Sequence, residues 1–286
     1  MRIANSAGRL VLVDPSSGPD DLRGVDVETA SGGRFPADPQ AVFDRWEEFR
    51  AWAVDADLSG ATPLPTDTLG AVAPRPPQVF AIGLNYSDHA AESGFDLPAE
   101  PVVFTKYASS FAGPVGDVVL SAGNVDWEVE LVVVLGRGGA HVPAAQAWDH
   151  VAGLTVGQDI SDRTVQFANA PPQFGLGKSF PGYSPLGPTL VTPDEVPDPD
   201  RLELGCEVNG TSVQKGTTAD MVFDVPTLIA KLSAIVTLLP GDVIFTGTPA
   251  GVGQGRSPQQ FLQDGDVLTS WITGLGALRQ RFVAAT

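Results

Sequence analysis

Residues 124–136, Asn-Val-Asp-Trp-Glu-Val-Glu-Leu-Val-Val-Val-Leu-Gly, constrain the fold of this chain more than any other stretch. From Trp127 to Leu135 the run is rich in β-branched residues and ends at a glycine, the composition of a mostly buried strand. Side chains alternate along a strand, so Glu128 and Glu130 share one face while Val129 and Leu131 share the other. Two carboxylates side by side on a buried strand repel each other and lose hydration unless a cation lies between them. A hard divalent ion, Mg²⁺ or Mn²⁺, suits such oxygen ligands. The alternative is a strand with one face open to solvent and both glutamates hydrated.

The 286 residues allow one large domain, or a core domain with a smaller companion. No apolar run approaches the ~18 residues of a membrane span. The longest, residues 228–239, is interrupted by Lys231 and Ser233. The first residues lack the apolar core of a secretory signal, so a cytoplasmic address is expected. A net charge of −17, with only 17 scattered Lys and Arg, argues against nucleic acid or an anionic membrane as partner. The single cysteine, Cys206, excludes an internal disulfide and a cysteine-rich zinc site. It lies in a strand pattern and reads as inert filling.

Residues 1–72 read as a small leading α/β unit, with strands at 10–13 and 25–29. An amphipathic helix comes next at 39–55, carrying Phe43, Trp46, Phe49 and Trp52 at helical spacing as core. A proline-studded connector leads into residues 73–286, where short apolar strands alternate with Gly and Pro. There Ser87 or Asp88 can cap a helical turn ending at Gly94, with His89 and Glu92 three residues apart on one face. A carboxylate so placed orients an imidazole and makes it a competent general base, although an exposed helical pair would look the same. Asp159 ends the apolar run 151–158, where a third carboxylate can join the first two. The stretch 171–180 resembles a phosphate loop but has Pro172 where the pattern needs glycine, which leaves Lys178 free to pair with an anionic substrate. Residues 201–208 and 211–215 flank Asn209-Gly210 as a hairpin. Asp224 and Pro226 open a helix running to about residue 239. The glycine-rich turn after residues 242–246 offers amides to an oxyanion. Strands at 267–272 and 277–283 close the chain. His141 and His150 lie near loop signals and are not favoured for catalysis. The pattern as a whole indicates a β-rich α+β fold.

Several stretches, in this order, resemble the fumarylacetoacetate hydrolase family. They are Gly83-Leu-Asn-Tyr-Ser-Asp-His-Ala-Ala-Glu92, Phe104-Thr-Lys106 with Ser109-Ser110, Asp126-Trp-Glu-Val-Glu-Leu131, Gly157-Gln-Asp159, Gly177-Lys-Ser-Phe180 and Phe245-Thr-Gly-Thr-Pro249. The resemblance covers about residues 78–283. It implies a mixed β-sandwich roll, a homodimer, and a single Mg²⁺ or Mn²⁺ held by Glu128, Glu130 and Asp159. It further implies a water-activating His89 and Glu92 pair on a lid, Lys178 near the reacting group, and Lys106, Arg163, Gln166 and Thr248 around the substrate. Many relatives carry an acidic residue just after the arginine, whereas here Asp162 precedes Arg163, which bears on the arginine's support and on substrate choice.

The activity so implied is hydrolysis of a carbon–carbon bond in a 2,4-dioxo acid, an acylpyruvate or a 2,4-diketo-3-deoxy sugar acid, through an enolate. A decarboxylase, isomerase or hydratase acting on oxaloacetate or an aromatic-degradation intermediate would pass through the same enolate without water. A non-catalytic binding protein on the same scaffold is the third reading.

Overall fold

The computed structural model describes every residue except Asp20, Ser93, Phe95 and Thr286. The β-branched run after Glu128 forms the strand Val129–Leu135, and all seven residues are buried. It lies inside a mixed sheet, antiparallel to Val151–Gln158 on one side and to Val243–Phe245 on the other. Alternation decides what each side chain meets. Val129, Leu131, Val133 and Leu135 enter one hydrophobic core, while Val132 and Val134 enter a second on the opposite face. Strands buried on both faces read as continuous apolar runs, as this one does. The glutamates are not hydrated: Glu128 and Glu130 are 5% and 1% exposed.

The large sheet has twelve strands. Across it run Thr62–Pro63, Arg23–Asp26, Arg9–Val13, Arg2–Ser6, Ser184–Val191, Val151–Gln158, Val129–Leu135, Val243–Phe245, Val79–Gly83 and Val102–Phe104, with Leu69–Gly70 and Phe111–Ala112 branching off. A five-stranded sheet, Thr211–Thr217, Glu203–Val208, Val267–Ile272, Gly276–Val283 and Val115–Val119, lies over the first core. Val125–Asp126 and Ser161–Asp162 make a separate two-stranded ladder. The architecture is β-rich α+β. No helix among the described residues is long and apolar enough to cross a membrane.

The first 72 residues share both sheet and core with the remainder of the chain. Arg2–Ser6 pairs with Ser184–Val191, and Ile3, Leu10, Phe43, Trp46 and Phe49 pack in one cluster with Val132, Val134, Leu190 and Phe245. Phe43, Trp46, Phe49 and Trp52 stack in sequence with ring centroids 5.6 to 5.8 Å apart.

Several elements are shorter than the sequence pattern suggests. The strand expected at 25–29 ends at Asp26, whose carboxylate accepts from the Thr29 amide and starts the turn Val27–Ala30. The helix over the first core spans Val225–Ser233, with Asp224 as cap. Beyond it the backbone pairs with another segment, Leu238 exchanging hydrogen bonds with Gly139, so helical pairing stops. The central strand starts at Val129 because the amides of Glu128 and Val129 donate to the side chains of Gln158 and Gln214. The Asn209-Gly210 hairpin forms between Glu203–Val208 and Thr211–Thr217.

Candidate active site and metal centre

Glu130 pairs with Gly157 and Val129 with Gln158, which sets Asp159 just past the end of the neighbouring strand. The Asp159 amide donates to the Glu128 carbonyl at 2.9 Å, carrying the pairing one residue further. Three carboxylates from two segments therefore converge, each with an oxygen within 4.8 Å of the others and all buried.

Cations surround two of the three. Lys178 Nζ lies 2.7 Å from Glu128 Oε2 and 2.7 Å from Asp159 Oδ2. Arg163 Nη2 lies 2.7 Å from Glu128 Oε1, and Lys106 Nζ donates to Asp159 Oδ1 at 2.5 Å. Burial alone would raise the Glu128 carboxyl, but Lys178 and Arg163 outweigh it and bring the pKa down to about 2. Lys178 is held above its ordinary value, Asp159 and Glu128 outweighing the cost of burial. Burial pushes Lys106 down.

Glu130 has no ion pair among the described residues and accepts one backbone hydrogen bond, from the Gly247 amide at 2.8 Å. Burial, then the charges of Asp159 and Glu128, hold its carboxyl well above the usual carboxylate range. A buried oxygen donor of this kind, beside two other carboxylates, is the setting a hard divalent cation fits. Gly247 reaches Glu130 because its φ is +99° and because a Cβ there would come within 2.8 Å of the Asn85 Cβ. Asn85 braces this turn by donating to the carbonyls of Phe223 and Thr246.

His89 and Glu92 lie on the short helix Ser87–Glu92. Nδ1 of His89 is buried without a hydrogen-bond partner among the described residues, and the Glu92 Oε2 stands 3.6 Å from it. That separation is long for a direct hydrogen bond. The Glu92 carboxylate is positioned from the other side, accepting from the Gly251 amide at 3.0 Å. Burial pushes Glu92 up, and the neighbouring imidazole with the Gly251 and Val252 amides brings it below its ordinary value.

One cavity of about 290 Å³ unites His89, Glu92, Glu128, Glu130, Arg163, Gln166, Lys178 and Thr248. Asp159 completes the acidic cluster behind them. Lys106, expected around the substrate, instead stands off this cavity, fully buried under Asp159, where it also donates to the carbonyls of Lys178 and Tyr183. Thr248 already donates to the Val129 carbonyl and accepts from Gln214.

Arg163 gets its support from Asp126 rather than from Asp162. Its Nε donates to Asp126 Oδ2 at 2.8 Å and its Nη1 to Gln166 Oε1 at 2.8 Å. Asp162 caps the turn Arg163–Gln166 and accepts from Ser121. Asp126 also accepts from the amides of Gly253 and Gln254. Sequence reasoning missed Asp126, Gln158 and Gln214 as scaffold residues. The first two lie within the family motifs Asp126–Leu131 and Gly157–Asp159, while Gln214 carries no local signal. His141 and His150 stand outside the cavity, and His150 Nδ1 lies 3.1 Å from the Arg137 carbonyl. Cys206 is buried, and burial raises its thiol well above its ordinary value.

Residues 78–283 match the family described as fumarylacetoacetate (FAA) hydrolase C-terminal. The human protein named oxaloacetate tautomerase FAHD2A, mitochondrial, is 47% identical over 224 residues, covering 77% of this chain and 71% of that one. A solved structure from Mycobacterium smegmatis, described provisionally as an HpcE protein, is 54% identical with a TM-score of 0.95, both chains covered in full. Maleylpyruvate hydrolase from Sphingobium sp. SYK-6, solved with manganese(II) and pyruvate, is 30% identical with a TM-score of 0.80, again over the whole of both chains. By family match, sequence identity and shared fold, this chain belongs to the fumarylacetoacetate hydrolase family.

Proposed function

We propose that the protein hydrolyses a carbon–carbon bond of a 2,4-dioxo acid, with Mg²⁺ or Mn²⁺ held by Glu128, Glu130 and Asp159. The observation that carries this reading is that the His89 and Glu92 pair opens onto the same cavity as Glu128, Glu130 and Lys178. When bound, the ion supplies Lewis acidity toward the carboxylate and keto oxygens of a 2-oxo acid. His89 takes a proton from water, and Glu92, held by the Gly251 amide, stabilises the imidazolium. The water oxygen bonds to C4, the C3–C4 bond breaks, and its electron pair moves onto the pyruvate side as an enolate. The Lys178 ammonium faces that enolate across the cavity, and its position is fixed in advance by Glu128 and Asp159. Imidazolium then returns the proton to C3, which leaves a carboxylic acid and a 2-oxo acid. Gln166 and Thr248 line the same cavity and are assigned to substrate binding. Arg163 lines it too: its Nε and Nη1 donate to Asp126 and Gln166, while its Nη2, ion-paired with Glu128, is assigned both to fixing that carboxylate and to substrate binding.

A second reading, keto–enol tautomerisation of a 2-oxo acid such as oxaloacetate, is favoured by the 47% identity to the human tautomerase. The same imidazole would shuttle a proton between C3 and the enol oxygen without water attack. The assay that separates the two measures loss of enol absorbance for acylpyruvates and for enol-oxaloacetate with each metal, and identifies products. Stoichiometric release of two acids supports hydrolysis. Ketonisation with no cleavage product overturns it in favour of the tautomerase. His89→Ala with undiminished hydrolysis removes the assigned base. A homodimer in the cytoplasm completes the proposal, although the human relative is named mitochondrial; light scattering on the purified protein tests the dimer.

A further inference from the structure

The cavity has a second character beyond its charged end. Lys178 Nζ lies 5.2 Å from the centroid of the Phe104 ring. Phe104 packs edge-on against Phe174 at 5.5 Å, and Phe174 against Phe167 at 6.3 Å. All three rings line the cavity. They form a continuous path from the lysine at the acidic cluster outward to Phe167, which is 41% exposed. Phe104 packs against the second large core, and Phe174 and Phe167, outside both large cores, extend from it along the cavity.

Leu84 also lines the cavity, with φ at +57°, a conformation costly for a bulky residue. The strain is sustained by its neighbour Asn85, anchored to Phe223 and Thr246. Among the described residues the Lys and Arg side chains that line the cavity are Lys178 and Arg163, and both are already paired with carboxylates. A second carboxylate at the far end of a substrate would meet phenyl rings and no free cation, at a substantial desolvation cost.

We infer that Phe104, Phe174 and Phe167 form a subsite for an apolar tail, alkyl or aryl, so that the substrate is a monocarboxylic 2-oxo acid carrying an apolar group distal to the keto carbon. The inference rests on the proposed 2-oxo acid chemistry and narrows it. Phe167 and Phe174 are the residues that set tail preference, and Phe104 joins the tail to the charged end through Lys178.

The test is calorimetric titration of the full-length protein, loaded with Mn²⁺, with pyruvate, 2-oxobutyrate, 2-oxohexanoate, phenylpyruvate and oxaloacetate. Affinity is expected to rise about fourfold per added methylene, the worth of burying one CH₂, until the cavity is filled. Phenylpyruvate should bind more tightly than oxaloacetate. In Phe167→Ala, a substitution at a half-exposed position that spares folding, the ratio of 2-oxohexanoate to pyruvate affinity should fall at least about fivefold. Binding of all the acids with no dependence on the tail, or a preference for oxaloacetate, overturns this inference and leaves the 2-oxo acid chemistry standing. Failure of every 2-oxo acid to bind overturns both.

Discussion

Arg163 depends on Asp126: the Arg163 Nε donates to Asp126 Oδ2 at 2.8 Å, and both side chains are shut off from water. Because the same carboxylate accepts from the Gly253 and Gln254 amides, it ties the arginine to the turn whose Gly251 amide holds Glu92. Removing one member of a buried ion pair typically costs about 3–5 kcal/mol. Asp126→Ala should lose stability of that order in denaturant titrations, and Asp126→Asn less. A change below about 1 kcal/mol would show that the pair is dispensable.

The unpaired Glu130 leads to a separate expectation. Without metal, Glu130→Gln should be more stable than the wild type at pH 7, by about 1–3 kcal/mol, since a carboxyl held well above its usual range must take up a proton or bury a charge on folding and the amide does neither. With Mn²⁺ at about a hundred times its Kd, the wild type should gain about 2.7 kcal/mol. Glu128→Gln, Glu130→Gln and Asp159→Asn should each lose most of that gain. Equal responses to Mn²⁺ in all four proteins, measured by thermal unfolding, would place the ion elsewhere.

Gly255 makes room for the dyad. A Cβ at this position would lie 2.4 Å from the Glu92 Cγ, so Gly255→Ala must displace the Glu92 side chain, which is flexible, rather than the backbone. Stability should change by less than about 1 kcal/mol, as expected away from core features. A displacement of about 1 Å at a catalytic group commonly lowers kcat about a hundredfold. Unchanged kcat in a folded Gly255→Ala protein would separate Glu92 from the chemistry.

Asp242 predicts a pH dependence of stability. Burial raises its carboxyl from 3.8 to about 6, against the opposing hydrogen bonds from Leu239 and Gln78. The folded protein therefore holds this proton more tightly than the unfolded chain. The stability it contributes is present below pH 3.8 and is lost as pH rises to about 6. The stability of the wild type relative to Asp242→Asn should thus be lower at about pH 7 than at about pH 4.5. A difference that is flat or rises with pH, in denaturant titrations at both values, would refute the assignment.

What could be read from the sequence was what one strand or one turn determines by itself. Alternation placed Glu128 and Glu130 on one face, the end of an apolar run located Asp159, and helical spacing joined His89 to Glu92. Pairing between distant segments leaves no such mark. Nothing near Arg2 announces that its strand will lie beside Ser184–Val191. Nothing near Gln214 shows that its side chain will hold the Val129 amide and the Thr248 hydroxyl. The aromatic path is equally hidden, since Phe104, Phe167 and Phe174 meet only after three separate segments fold. Lys106 illustrates the converse: its position in a motif was legible, but its place beneath Asp159 was set by tertiary packing.

The pairing of Glu130 with Gly157 makes the acidic cluster sensitive to register. In a two-residue repeat, a slip of one position would turn Glu130 toward the opposite core and carry Asp159 out of reach. In the proposed metal centre, ion capture doubles as an internal gauge of strand alignment. A chain that has collapsed with its strands mismatched would be compact yet blind to manganese, and during refolding the return of manganese sensitivity would time the moment when these two strands lock into step.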